Sequence, residues 1–106
     1  MFYTVKALPI RSKMNEFYRR LNDGTIASQK PDGQEIMASM KRAKTNEEGV
    51  VHWSEQCFCS VPLEHERQTV YDDFFTSMAI EVVDGYVDFE GEPFMEVLGR
   101  EASSSA

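Results

Sequence analysis

The chain is expected to fold as an α+β protein, an antiparallel sheet with its helices gathered on one face. Three observations lead there. The 106 residues suit one domain of ordinary composition, 42% hydrophobic and 27% charged. Apolar runs with the period of strands open the chain and recur in its middle and toward its end. Between them lie two segments whose apolar residues fall at the i, i+3, i+4 spacing of helices.

Residues 2–8, with Phe2, Tyr3, Thr4 and Val5, read as the first strand, ended by Pro9. Ser12 is placed to cap a helix whose stripe is Met14, Phe17, Tyr18 and Leu21, with Asn22-Asp23-Gly24 as its stop. Residues 34–44 satisfy two patterns. As a helix they have Asp32 as cap, Glu35 three residues later, and Lys41, Arg42 and Lys44 at the negative end of the dipole. As a strand they place Ile36, Ala38 and Met40 on one face, with Met37 alone against the pattern. The turn-like Asn46-Glu47-Glu48-Gly49 leads straight into the clearest strand of the chain, residues 50–59, and a hairpin there decides the reading of 34–44 for a strand.

Ser60 and Pro62 then open a second helix with the stripe Leu63, Arg67, Val70, Tyr71, Phe74 and Met78. Residues 80–83 and 86–89 read as strands about Asp84-Gly85, and Pro93 to Leu98 as a short terminal helix. The domain is expected over 1–99, with 100–106 a mobile tail. The element order is βαββαβ with a C-terminal extension, the order of a ferredoxin-like two-layer sandwich. Two helices cover one face of such a sheet, and apolar groups of both parities in residues 50–59 leave the other face in need of cover. The layout over residues 2–89 resembles the dimeric α+β barrel proteins. That resemblance implies a homodimer, the second copy supplying the cover, with the segment from Tyr86 to Leu98 as the alternative lid.

No apolar run approaches the roughly 20 residues that span a bilayer, and the first residues lack the layout of a signal peptide. A cytoplasmic protein without membrane contact is expected. Cys57 and Cys59 are too close in sequence for an unstrained disulfide and are expected as free thiols. The net charge is -7, with nine Lys/Arg and six Asp/Glu in residues 1–50 but two and twelve in residues 51–106. This acidic balance argues against nucleic acid as a partner.

On a strand Cys57 and Cys59 share a face and could share a soft metal, with His52 or His65 completing the set. His52 has the wrong parity for that face, and the dyad spacings usual for zinc are absent. Buried thiols that pack are therefore the reading adopted, with no metal and no cofactor expected. Leu63-Glu64-His65-Glu66-Arg67 is the other dense cluster. His65 and the nearby carboxylates are of the residue types that do general acid–base work, while the acids also suit a helix start. Arg67 falls in an apolar stripe and so needs a carboxylate such as Glu55 or Asp72, or an anionic ligand. Trp53 shares the cysteines' strand face. The expected ligand-binding residues are Arg67, His65, His52 and Trp53. No catalytic residue is assigned, since neither a phosphate loop nor a nucleophile elbow occurs.

The stretch His52-Trp53-Ser54-Glu55-Gln56-Cys57-Phe58-Cys59-Ser60-Val61-Pro62-Leu63-Glu64-His65-Glu66-Arg67-Gln68-Thr69-Val70-Tyr71-Asp72 resembles small bacterial proteins of unassigned function. That resemblance brings no activity. The expected function is a small homodimeric module that binds a small molecule or protein partner. The alternative is a cofactor-independent enzyme with its site between sheet and helices, using His52, His65 or Arg67.

Overall fold

The computed structural model describes residues 1–105. It is an α+β structure with a five-stranded antiparallel sheet. Strand β1 (Phe2–Pro9) lies between the two other long strands, with Val5 opposite both Trp53 of β3 (Val51–Gln56) and Ile80 of β4 (Phe75–Val83). Two-residue strands β2 (Lys44–Thr45) and β5 (Glu92–Pro93) complete the order β4-β1-β3-β2-β5. Alternation does the sorting: Tyr3, Val5, Ala7, Val51 and Trp53 are buried against the helices, while Phe2, Thr4, Lys6 and His52 face the other way.

Helix α1 (Met14–Asn22) buries Met14, Phe17 and Leu21 of the expected stripe, with Tyr18 half-buried at its side. A 3-10 turn, Arg11–Lys13, precedes it and no side chain caps it, so Ser12 does not play the expected capping role. Phe17 stacks on Phe74 at 4.5 Å and meets Phe75 edge-on at 5.6 Å. Trp53 lies 5.1 Å from Tyr71 and 5.2 Å from Phe75, which joins the sheet to the helical layer.

Residues 34–44 are not the expected strand. They form helix α2 (Gly33–Arg42), which buries Gly33, Ile36, Ser39 and Met40 at helical spacing. The expected hairpin turn does form, with Asn46 N–H on the Val50 carbonyl at 3.0 Å and the Asn46 side chain accepting from Glu48 and Val50. Only Lys44 and Thr45 pair ahead of it. Helix chemistry won because α2 itself satisfies the strand edge that a longer β2 would have covered. Arg42 Nη2 donates to the Ser54 carbonyl at 2.9 Å, and the Gln56 N–H donates to Glu35 at 2.8 Å. A guanidinium and a carboxylate replace a strand's carbonyls and amides.

Residues 64–74 form helix α3, α-helical at Glu64–Glu66 and Asp72–Phe74 with a π turn, Arg67–Tyr71, between. Met78, expected on this helix, belongs to β4. Residues 86–89 are not a strand. The segment 84–91 instead lies over the sheet face away from the helices. Ser54 Oγ accepts from Val87 N–H at 2.9 Å and donates to Val87 carbonyl at 3.0 Å; Tyr86 meets Phe2 edge-on and Phe89 lies 5.3 Å from His52. Helix α4 (Phe94–Ser105) buries Phe94 and Leu98 and runs on through Arg100 and Glu101, which the sequence assigned to a tail; Ala106 lies outside the described residues.

Candidate functional site

The loop from β3 to α3 crosses one end of the sheet. Cys57 extends the β1–β3 ladder by one step, its N–H on the Met1 carbonyl at 2.9 Å. At the loop's far end Leu63 has a φ of 56°, in the left-handed region that branched residues rarely enter, and its fully buried side chain holds it there. Strand geometry ends at Gln56, so strand parity does not set the directions of Cys57 and Cys59. The loop still brings them together: Cys59 N–H donates to Cys57 Sγ at 3.3 Å.

The π turn decides what α3 presents to them. In a regular helix residues five apart point about 140° away from each other. The wider turn brings Glu66 and Tyr71 onto one face, and both reach Glu55 on β3. Tyr71 hydroxyl donates to Glu55 Oε1 at 2.6 Å and Trp53 Nε1–H donates to the same oxygen at 2.9 Å. Burial raises the Glu55 carboxyl well above its usual range, and the Glu66 carboxylate raises it further, while the bonds from Tyr71 and Trp53 pull the other way. Burial thus favours the uncharged form of Glu55. Burial, with Glu55 beside it, also raises Tyr71. The Cys59 thiol donates to Glu66 Oε1 at 3.4 Å. Cys57 is pushed up to about 12, burial being the main cause, and so stays a thiol at neutral pH.

Cys57 and Cys59 line a cleft of about 300 Å³ together with Pro31, Asp32, Glu35, Gln56, Phe58 and His65. His65 Nδ1 is hydrogen-bonded to Asp32, which stands just before α2. Cys57, Cys59 and Glu66 have their sulfur and oxygen atoms within 4.8 Å of one another, as do the donor atoms of Asp32, His65 and Glu66. Phe58 stands at the mouth, 87% exposed.

Of the residues expected to bind a ligand, His65 alone lines this cleft. Trp53 is fully buried in the core. His52 lies on the opposite sheet face, in a shallow 190 Å³ hollow with Lys6, Glu81 and Phe89. Burial, then Lys6, lowers its pKa. Arg67 is a surface residue paired with Asp72 at 2.9 Å, one of the partners its sequence context offered. The arginine that the fold encloses is Arg42. Sequence reasoning missed Glu66 and Asp32. Glu66 stands in the 63–67 cluster but reads there as a helix-start acid, because α-helical spacing puts Arg67 with Val70 and Tyr71, whereas the π turn puts Glu66 there. Glu55 did carry one, since it alternates with Val51 and Trp53 on the core face.

Comparison of the chain with family models, with curated proteins and with solved structures found no match. Among the described residues no helix is long and apolar enough to cross a membrane.

Proposed function

We propose that the protein is a binding module whose cleft between the 57–63 loop, α2 and α3 takes a small ligand bearing positive charge. The observation that carries this reading is the cleft's composition. It has Asp32 and Glu35 on its wall, no Lys or Arg among its lining residues, and Glu66 buried beneath it. Phe58, Pro31 and the cysteines supply apolar contact for a short hydrocarbon body. Titration with n-butylamine and with butyrate, a pair of similar size and opposite charge, tests it by NMR. The amine is expected to shift the Phe58, Cys59 and His65 signals. Equal or stronger binding of butyrate would refute it.

The rival reading is an enzyme without a cofactor, favoured by the Asp32–His65 pair, which orients an imidazole as a general base requires. The fold proposal is a ferredoxin-like sandwich enlarged by α2, β5 and α4. It is supported by the antiparallel order β4-β1-β3-β2. Kinship with small bacterial proteins, suggested by the stretch His52 to Asp72, belongs to the same proposal. So does the homodimer, now through a different surface. Segment 84–91 lies over the face a partner was expected to cover, whereas β4 is a nine-residue edge strand hydrogen-bonded on one side only, with Val82 59% exposed. Sedimentation at micromolar concentration is expected to give twice the chain mass. A monomer mass would reject the pairing.

A further inference from the structure

We infer that Cys57, Cys59 and Glu66 bind one soft divalent cation, zinc by the chemistry of the donors, with His65 as fourth ligand. The inference rests on the cleft reading above and names what the cleft floor holds. The first support is geometric. Two sulfurs and a carboxylate oxygen lie within 4.8 Å of one another, and Cys59 Sγ stands 3.4 Å from Glu66 Oε1. In a tetrahedral shell with bonds of roughly 2.0–2.3 Å, ligand atoms sit about 3.3–3.8 Å apart. The Cys59–Glu66 spacing is that of a shell, and no pair among the three donors has to close in from more than 4.8 Å. Thiolate, imidazole and carboxylate together suit zinc, whereas calcium and magnesium take oxygen ligands.

The second support is independent of spacing. Glu66 is 1% exposed and Glu55 is fully buried, and neither forms an ion pair among the described residues. No hydrogen-bond donor reaches Glu55 Oε2, and among the described residues Glu66 is met by a thiol, a weak donor, with Cys59 Sγ at 3.4 Å. A carboxylate taken out of water without a cationic partner is costly, and buried charges in folded proteins are paired or coordinate metals. A cation beside Glu66 supplies the missing partner.

The surroundings fit. Asp32 accepts from His65 Nδ1, the outer bond that fixes the tautomer of a metal-bound imidazole and leaves Nε2 to ligate. His65 stands beside Glu66, and its partial exposure at the cleft opens the path of entry. On binding, each S–H bond breaks as a zinc–sulfur bond forms, and the two protons pass to solvent.

The test uses the full chain, reduced and stripped of metal, titrated with Zn²⁺ against a chromophoric chelator and, in parallel, with Co²⁺. One equivalent of zinc is expected, and the cobalt form should show sulfur-to-cobalt charge transfer with tetrahedral ligand-field bands. Glu66→Gln, close in shape, is expected to weaken zinc by more than the roughly 10–100-fold that loss of an outer-shell partner costs, and Cys57→Ser and Cys59→Ser by at least as much. Arg67→Leu should leave affinity unchanged. The cobalt spectrum of the unaltered chain decides the matter even if a cysteine variant fails to fold. Absence of stoichiometric zinc, or a cobalt spectrum without the thiolate band, overturns the inference. Butylamine binding without zinc binding removes the metal alone, and failure of both removes the cleft reading as well.

Discussion

Replacing Arg42 by Leu tests how the sheet edge is closed. Arg42 Nη2 donates to the Ser54 carbonyl at 2.9 Å and to Glu35 at 3.3 Å, and its guanidinium lies 4.2 Å from the centre of the Tyr86 ring. Ser54 is fully buried, so its carbonyl would lose its partner where water does not reach, at about 1–3 kcal/mol. The half-buried Glu35 pair adds less than about 1 kcal/mol, and the stacking on Tyr86 about 0.5–1. Against these, Arg42 Nε is itself buried without a partner, and removing it recovers roughly 1 kcal/mol. The net loss is about 2 kcal/mol, or roughly 10 °C in Tm for a domain of this size. Arg67→Leu is the control. Its pair with Asp72 is 42% and 52% exposed, so less than about 1 kcal/mol is expected. Urea unfolding followed by the fluorescence of Trp53, the sole tryptophan, reads both variants. If Arg42→Leu costs less than Arg67→Leu, the edge-capping argument is wrong.

Gly33→Ala places a Cβ 2.4 Å from the Ile26 carbonyl oxygen and 2.8 Å from that of Ala27. Both are backbone atoms, so a loss of about 1–3 kcal/mol is expected by thermal melting, and a neutral result would mean α2 can slide away from the preceding loop. Ser54→Ala removes both hydrogen bonds to Val87 and should raise amide exchange at Val87 while the β1 amides stay protected. Unchanged exchange at Val87 would show that the ring contacts alone hold the 84–91 segment. His52 has a folded pKa below its ordinary 6.5, so its contribution is present above that value and is lost as the pH falls through the lowered one. The chain should therefore lose a little more stability than His52→Gln between pH 7.5 and 5.5, and identical pH profiles for the two would remove His52 from the account.

The sequence by itself determined the elements whose pattern repeats locally: β1, α1, the Asn46–Gly49 turn, the middle of β3 and the core stripe of α1. Each is written in residues close to one another, as alternation, as helical spacing or as turn chemistry. Tertiary structure decided the rest, for reasons that involve distant residues. Residues 34–44 fit two periods, and the outcome turned on whether Arg42 and Glu35 could reach the open edge of β3. Residues 86–89 alternate like a strand, yet they are held by the Ser54 side chain rather than by a ladder. The site was half legible. Cys57, Cys59 and His65 stood out by type, but Glu66 enters only through the π turn and Asp32 only through the approach of α2 to α3. A one-residue widening of a helical turn moves a side chain to another face, and that choice depends on what Glu55 and Tyr71 offer it across the core rather than on spacing along the chain.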